Sequence, residues 1–193
     1  MTAVLASVRA TAPTDAAAIA ASFDAPSAFS AIFERHHAVV HRYLARRLGV
    51  DMADELAAEV FAVAFAKRGR YDAGFEDARP WLFGIATRLA RRHARQEVRQ
   101  LRAYARTGVD PSVPSHDERT AAEADSAAAG SALATALEAL PSRERDVLLL
   151  YAWAELSYPE IAAALSISPG TVKSRLHRAR GRVRESLKGE LDG

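Results

Sequence analysis

Three histidines in the first quarter of the chain are the first residues whose spacing could support chemistry. His37 and His41 are four residues apart, the spacing of two metal ligands on one helical face. The glutamate of the H-E-x-x-H motif is missing, and His36 falls on the apolar side of the same helix. The sequence also lacks cysteine, a glycine-rich phosphate loop and the G-x-S-x-G motif. We therefore expect no enzymatic activity, no metal and no cofactor; a metal assay would test the alternative, an enzyme built on these histidines.

A stripe of arginines is the second candidate, and its chemistry is the binding of phosphate. On a helix that begins near Pro80, these arginines fall within roughly 100° of arc, and Glu97 is the only acid. The stripe consists of Arg88, Arg91, Arg92, Arg95, Arg99, Arg102 and Arg106. A solvated face would interleave acids and bases at four-residue spacing. Because like charges repel one another unless phosphates neutralise them, the stripe favours a nucleic-acid backbone as partner over a solvated surface.

Aromatic residues lie just before and at the start of this helix. Tyr71, Phe75 and Trp81 could stack on exposed nucleic-acid bases, although Trp81 taken by itself is more typical of a core residue. The glycine and proline between 71 and 80 predict a loop there.

A second basic stretch, SPGTVKSRLHRARGRVRE at 168–185, has the pattern of an amphipathic helix. Ser168 suits the N-cap and Pro169 the first helical position. The apolar side falls within roughly 40° of arc and consists of Val172, Leu176, Ala179 and Val183. The opposite face is small, polar and cationic: it carries Gly170, Ser174, His177 and Arg178, with Thr171 and Lys173 on its flanks.

A shorter helix precedes this basic helix. Ser157 and Glu160 form an S-x-x-E capping box, so we expect a helix to begin near Tyr158 and to end before a tight turn at 166–168. A short helix, a tight turn and a basic helix form the helix-turn-helix pattern, whose second helix enters the DNA major groove. An ordinary helical hairpin has the same pattern, so these two helices alone leave both interpretations open.

An acidic face is predicted on a helix between residues 51 and 70. Glu55, Ala58, Glu59 and Ala62 share one side of it, and Asp54 lies beside them. Acids in the first turns suit the helix dipole, which explains a well-capped surface helix. The alternative interpretation is that these acids form a docking face for a basic partner.

Helical periods dominate the chain, so the sequence predicts an all-α protein of two small helical domains. We expect a disordered extension at 1–26, a first domain at 27–107, a flexible linker at 108–131 and a helix-turn-helix domain at 132–189. The linker contains two prolines and almost no large apolar residues. No apolar run is long enough to span a membrane and no signal peptide is evident, so we expect a cytoplasmic protein without membrane insertion.

Taken together, residues 29–187 resemble a bacterial RNA polymerase sigma factor of the extracytoplasmic-function type. DELAAEVFAVAF resembles the polymerase-binding helix D-L-V-Q-E-x-F, and RPWLFGIATRLARRHAR is similar to the −10-reading helix W-L-x-x-I-A-x-N-x-A. LEALPSRERDVLLLYAWAELSYPEIAAALSISPGTVKSRLHRARGRVRE resembles the −35-reading domain almost end to end. The resemblance implies a dissociable subunit that binds core RNA polymerase and promoter DNA and that an anti-sigma factor commonly inhibits. It also implies that the linker lets the domains move in the free protein and that core polymerase fixes their separation.

The resemblance also implies roles for particular residues. Polymerase binding falls on Asp54, Glu55 and Glu59. Recognition of the −10 element falls on the loop 71–79 and the helix after it, with Tyr71, Phe75, Arg79, Trp81, Arg88, Arg91, Arg92 and Arg95 as the residues concerned. Reading of the −35 bases falls on Lys173, Ser174, His177 and Arg178, and phosphate contacts fall on Thr171, Arg175 and Arg180. Two positions depart from the family pattern: Ala58 replaces a usual glutamine, and Arg88 stands where asparagine is common.

A different class of protein shares some of these features. A stand-alone helix-turn-helix repressor or activator could use the N-terminal helices to form a dimer. Such a regulator would bind palindromic sites without polymerase, whereas the sigma-factor interpretation predicts neither property.

Overall fold

The computed structural model describes residues 13–107 and 121–191, and within these two ranges it contains nine α-helices and no β-strand. The helices are α1 (Asp15–Ala21), α2 (Ser30–Leu48), α3 (Val50–Ala66), α4 (Arg79–Arg92), α5 (Ala94–Thr107), α6 (Ala121–Ala139), α7 (Ser142–Ala152), α8 (Tyr158–Leu165) and α9 (Pro169–Leu191). Short 3₁₀ turns occur at Pro26–Phe29 and Arg68–Arg70. The predicted all-α fold is confirmed. The first twelve residues of the expected extension, and residues 108–120 of the expected linker, lie outside the described residues.

Helices α1–α5 form the N-terminal domain, whose core lies between α2, α3 and α4. Ile32 and Leu44 of α2, Val60 of α3 and Leu82 of α4 are fully buried in it. A single residue, Gly49, separates α2 from α3 and has φ of +93°. A side chain is strained in this backbone conformation, so glycine here lets α3 fold directly back on α2.

The predicted long helix after Pro80 is two helices. The break lies at His93, whose N–H donates to the carbonyl of Ala90, three residues earlier, where an α-helix would continue with a four-residue bond. Beyond the break, α5 packs against α2 and α6 and buries Glu97 and Leu101. The arginine stripe is therefore divided between α4 and α5.

The N-terminal extension is shorter than expected, because residues 13–26 are folded. Thr14 caps α1 by accepting the N–H of Ala17 at 3.2 Å, and Ile19 is buried. The alanine-rich composition concealed this short helix, since its burial depends on α2 and on the loop before α4. The structure thus corrects the expected disordered segment over these residues.

The predicted linker also differs from the structure. Residues 121–131, which we expected to lie in it, form the first part of α6. Alanine is the strongest helix former, and a small-residue helix needs only a neighbouring surface to pack on. The hydroxyl of Ser131 donates to the carbonyl of Ala105, so α6 is joined to α5.

Helices α6–α9 form the C-terminal domain, and its helix-turn-helix agrees with the sequence prediction. The backbone N–H of Ser157 donates to Glu160 at 2.7 Å, which closes the predicted capping box at the start of α8. Ser166 ends α8 in the left-handed conformation, with φ of +54°. The predicted apolar side of α9 is buried at Val172, Leu176 and Ala179, and Val183 is half-buried at its edge.

Candidate nucleic-acid interface

Five of the seven predicted −35 residues of α9 line one open depression of about 500 Å³. Its lining includes Lys173, Ser174, His177, Arg178 and Arg180, all of which are exposed. Tyr158 of α8 contributes to the same surface and was not predicted from the sequence. The cationic and polar face therefore forms a continuous concave surface at the start of the second helix of the motif.

A buried acid on α7 positions part of this surface. Glu144 pairs with Arg178 and with Arg182, each through Nε at 3.2 Å. Both arginines stay about half exposed. The four-residue spacing of the arginines was visible in the sequence, but Glu144 lies 34 residues before Arg178, so no local pattern could associate them.

The three residues predicted to contact phosphate have further contacts or different surroundings. Thr171 belongs to the cap of α9, where its N–H donates to Ser168 Oγ at 3.1 Å. Arg175 is partly buried, and neither residue lines the depression. Arg180 places its guanidinium 4.6 Å from the centre of the Tyr151 ring, at the border of the surface.

The loop before α4 is folded upon itself. The Tyr71 ring lies 5.2 Å from that of Trp81, and its hydroxyl donates to the carbonyl of Phe75. Asp72 accepts the N–H of Gly74 at 2.9 Å. Burial, followed by the nearby carboxylates of Asp15, Asp77 and Asp72, raises the pKa of Tyr71 to about 12, so its hydroxyl keeps its proton.

The predicted −10 aromatics share a cavity of about 320 Å³. Tyr71, Phe75, Trp81 and Arg88 line one side, and Ala163, Ala164 and Ser166 from the end of α8 line the other. Arg79 is absent from this lining and pairs with Asp77 at 3.2 Å. The structure thus brings four of the eight predicted −10 residues together, at a cavity that the C-terminal domain borders.

Acids on other helices pair with several arginines of the stripe. Arg91 binds Asp146 of α7 at 2.6 Å, Arg102 binds Glu138 of α6 at 2.7 Å, and Arg92 lies 3.5 Å from Glu59 of α3. Arg95 is exposed. Burial, and secondly the charge of Arg91, lower the pKa of Arg88. Counter-charges that the stripe lacks along its own helices therefore come from the rest of the molecule.

A buried charge network joins the two domains. Arg47 of α2, with 1% of its side chain exposed, donates to Glu97 at 2.7 Å and to Asp146 at 2.8 Å. Glu97 also pairs with Arg145 of α7 at 3.3 Å. Burial would lower the pKa of Arg47, but Tyr43, Glu97 and Asp146 hold it well above its ordinary value. Arg47 therefore stays charged, and its partners come from both domains.

Direct backbone packing accompanies this network. Gly84 of α4 is so close to α8 that a Cβ at this position would lie 2.5 Å from the carbonyl oxygen of Ala164. We expected the domains to move independently in the free protein, whereas in the structure they pack on one another. The residue pattern within a single helix could not predict this contact, because the residues that form it are far apart in the sequence.

The predicted polymerase-binding residues lie on the exposed side of α3. Asp54 and Glu55 are exposed and Glu59 is partly exposed, while Leu56 and Val60 on the other side are buried. Asp54 contacts His41 Nε2 at 2.8 Å, and Glu59 lies 3.5 Å from the exposed Arg92. The acidic face is therefore open to a partner without disturbing the core.

The three histidines of α2 contact neighbouring protein groups. His41 contacts Asp54, and the His37 ring packs 4.6 Å from that of Phe33. Asp15, His36 and Asp77 have ligand atoms within 4.8 Å of one another, but Asp15 already binds the guanidinium of Arg35 at 2.8 Å. A protein cation thus pairs with one of the two carboxylates of this cluster.

Comparison with known proteins relates both domains to one family. Family models of sigma-70 region 2 and sigma-70 region 4 match residues 32–100 and 131–183. The RNA polymerase sigma factor CarQ of Myxococcus xanthus is 36% identical over 170 residues, which cover 87% of this chain and 93% of CarQ. The chain belongs to the sigma-70 family of RNA polymerase sigma factors. This sigma factor directs promoter recognition and transcription initiation.

Further relatives place it in the extracytoplasmic-function group. The ECF RNA polymerase sigma factor SigE of Mycolicibacterium smegmatis is 33% identical over 163 residues, which cover 79% of this chain and 59% of SigE. The fold resembles that of CnrH, solved with the cytosolic domain of CnrY, with a TM-score of 0.63 and 23% identity. The match covers 91% of this chain and 97% of CnrH. It also resembles that of RpoE of Bartonella quintana, solved with the anti-sigma factor NepR, with a TM-score of 0.57 and 22% identity. This match covers 83% of this chain and 96% of RpoE.

Among residues 13–107 and 121–191, no helix has the length and apolar character that crossing a membrane requires.

Proposed function

We propose that the three surfaces described above divide the work of promoter recognition. The acidic face of α3 binds core RNA polymerase through Asp54, Glu55 and Glu59. The loop at 71–79 and α4 capture the −10 element, and α9 reads the −35 element. In this proposal the protein is a specificity subunit without enzymatic activity of its own, and it acts in the cytoplasm, where polymerase and promoter DNA meet.

The single observation that carries the proposal is the shared depression on α9. A helix-turn-helix inserts the N-terminal part of its second helix into the major groove, and the depression lies on that part. Lys173 and Arg178 can each donate to guanine N7 and O6, while Ser174 allows close approach and His177 can donate or stack. Thr171, Arg175 and Arg180 at the border fit phosphates, which fix the register of the helix on DNA.

The −10 surface suits an unpaired base and its flanking phosphates. Tyr71, Phe75 and Trp81 offer aromatic faces for a base turned out of the stack, a step that costs a few kcal/mol. Arg79, Arg88 and the exposed Arg95 offer positive charge for the backbone beside it. Arg91 and Arg92 belong to the same surface once their acidic partners are exchanged for phosphate.

The domain contact implies that DNA binding requires opening. Helix α8 lines the −10 cavity, and Asp146 pairs with Arg91. The groups that contact α8 or Asp146 cannot contact DNA at the same time. Buried ion pairs add little net stability because their charges regain hydration when they separate. We propose that binding to core polymerase separates the two domains and holds them at a fixed distance. The two weak DNA contacts, one in each domain, then read both promoter elements together.

An anti-sigma partner belongs to the proposal as well. Two proteins of this fold have been solved with bound partners, and one of these partners is described as an anti-sigma factor. We propose that an anti-sigma factor binds this chain and inhibits it by maintaining the closed arrangement.

Transcription in vitro tests the proposed surfaces. Purified core polymerase with this protein should transcribe from a promoter library, and core polymerase alone should not. Lys173→Ala should reduce selection at the −35 element, whereas Arg184→Ala, a change at an exposed arginine outside the depression, should not. Equal selection by both variants would contradict the assignment of α9.

A further inference from the structure

Asp15, the first residue of α1, lies outside the segment that the region 2 family model matches. Its carboxylate is buried and has three partners: Arg35 Nη1 donates to Oδ1 at 2.8 Å, the N–H of Ala78 donates to Oδ2 at 2.8 Å, and His36 Nε2 lies 2.5 Å from Oδ2. The N–H of Asp15 itself donates to the carbonyl of Glu76 at 3.1 Å. One residue thus connects α2 with the backbone immediately before α4.

The loop at 71–79 depends on this connection for its position. The other hydrogen bonds described for the loop join residues at most four apart, as in Gly74 to Asp72 and Arg79 to Asp77. Local bonds of this kind fix the shape of a loop but not its place on the domain. The bonds of Asp15 to Ala78 and Glu76 are long-range, and they fix its place.

We propose that Asp15 is a positioning residue for −10 recognition, which holds the loop carrying Tyr71 and Phe75 against α2. The inference rests on the proposed function of that loop. Removing the charge leaves the part-exposed Arg35 and the buried N–H of Ala78 competing for a single acceptor, and a buried donor without a partner is costly. The loop would then shift while the core of α2, α3 and α4 stays intact.

Asp15→Asn in the full chain tests the proposal, with Asp24→Asn as the matched control at an exposed aspartate of the same segment. Each protein is assayed with core polymerase on promoters randomised at −10 or at −35. We expect Asp15→Asn to weaken −10 base selection and to reduce open-complex formation about tenfold, the order expected when a charged buried hydrogen bond is lost. Core binding and −35 selection should not change, and the control should behave as wild type.

Wild-type −10 selection by Asp15→Asn would overturn the role of Asp15, and so would a parallel loss of core binding and −35 selection, which indicates unfolding. A different result tests the proposed function. If the wild-type protein gave no core-dependent transcription, that result would contradict the proposed function and this inference with it.

Fluorescence gives a readout of loop position that does not depend on transcription. The chain has two tryptophans, so in a Trp153→Phe background the signal comes from Trp81, which packs on Tyr71. Asp15→Asn should increase the quenching of Trp81 by acrylamide while the helical circular dichroism is retained. Quenching equal to that of the Asp24→Asn control would overturn the positioning role.

Discussion

At the scale of single residues, the basic groups assigned to DNA are not simply free charges. Arg178 shares Glu144 with Arg182, and Arg91 shares Asp146 with Arg47. An ion pair of a half-exposed arginine contributes little stability, so guanine or phosphate can replace the acid at small cost. Glu144 meanwhile restricts the rotamers of Arg178, which lowers the entropy lost when Arg178 binds a base.

Arg178 and Arg180 should differ in what they contribute to −35 binding. Arg178→Ala should relax preference at one −35 position, because a good arginine–guanine pair discriminates by about 1–3 kcal/mol. Arg180→Ala should lower affinity evenly across sequences, because a phosphate contact carries no sequence information. Selection from a randomised −35 library measures both effects, and an unchanged preference in Arg178→Ala would remove this residue from the reading surface.

Charge reversal on α3 should weaken binding to core polymerase. Glu59→Lys or Asp54→Lys places a cation on the acidic face, and the helix should stay folded because neither side chain is buried. Glu34→Lys, at an exposed acid of α2, is the matched control. Fluorescence anisotropy with labelled protein gives the affinities; equal affinity of wild type, Glu59→Lys and the control would refute the docking face.

The pKa of Asp15 makes stability depend on pH. Burial alone would raise this pKa, but the N–H of Ala78 and then the groups of Arg35 and His36 lower it below its ordinary value. A carboxylate with a lowered folded pKa stabilises the protein above its unfolded pKa of about 3.9, and this stabilisation is lost as the pH falls through the folded pKa. The free energy of unfolding should therefore decline less steeply below about pH 4 in Asp15→Asn than in wild type. Urea unfolding at a series of pH values measures the two slopes, and identical slopes would contradict the assignment.

At the scale of helices, the sequence predicted the elements whose signals are local. The capping box of Ser157 and Glu160 and the apolar side of α9 at Val172 and Leu176 are set by spacing within one helix. The break at His93 could not be predicted in this way, because it is associated with a long-range contact. It places Glu97 beside Arg47, fifty residues away in the sequence. The helix α1 was missed for the same reason, since the carboxylate of Asp15 binds residues of α2 and of the loop before α4.

The close packing of α4 on α8 gives a prediction at this scale. Gly84→Ala should separate the domains, because the added Cβ meets the backbone of Ala164, which cannot move aside as a side chain can. In an open helix the same change would stabilise by about 1 kcal/mol. Gly181→Ala in α9 is the matched control, since within the described residues nothing lies within 4 Å of its Cβ.

The natural chain contains no cysteine, so two dyes can be attached at chosen sites to measure this separation. Cysteines at Glu34 and Glu185 place one dye on an exposed position of each domain. Energy transfer should fall in Gly84→Ala and stay at the wild-type value in Gly181→Ala. Equal transfer in both variants would contradict the account of the α4–α8 contact.

At the scale of the whole molecule, we propose that the closed arrangement and promoter recognition exclude one another. The network of Arg47, Glu97, Arg145 and Asp146 is satisfied only when the domains are together, and the end of α8 then lines one side of the cavity that holds the proposed −10 aromatics. Interfaces between domains of one chain are polar enough to rearrange, so a partner can select either state. Core polymerase would select the open state and an anti-sigma factor the closed one.

The most direct test of this account is transcription by core polymerase from a library in which the −10 and −35 regions are randomised together. We predict that transcription requires this protein, that the selected promoters contain two conserved blocks at a constant separation, and that Arg178→Ala alters the upstream block alone. Selection of a single palindromic block, or binding to the same sites without polymerase, would contradict the account.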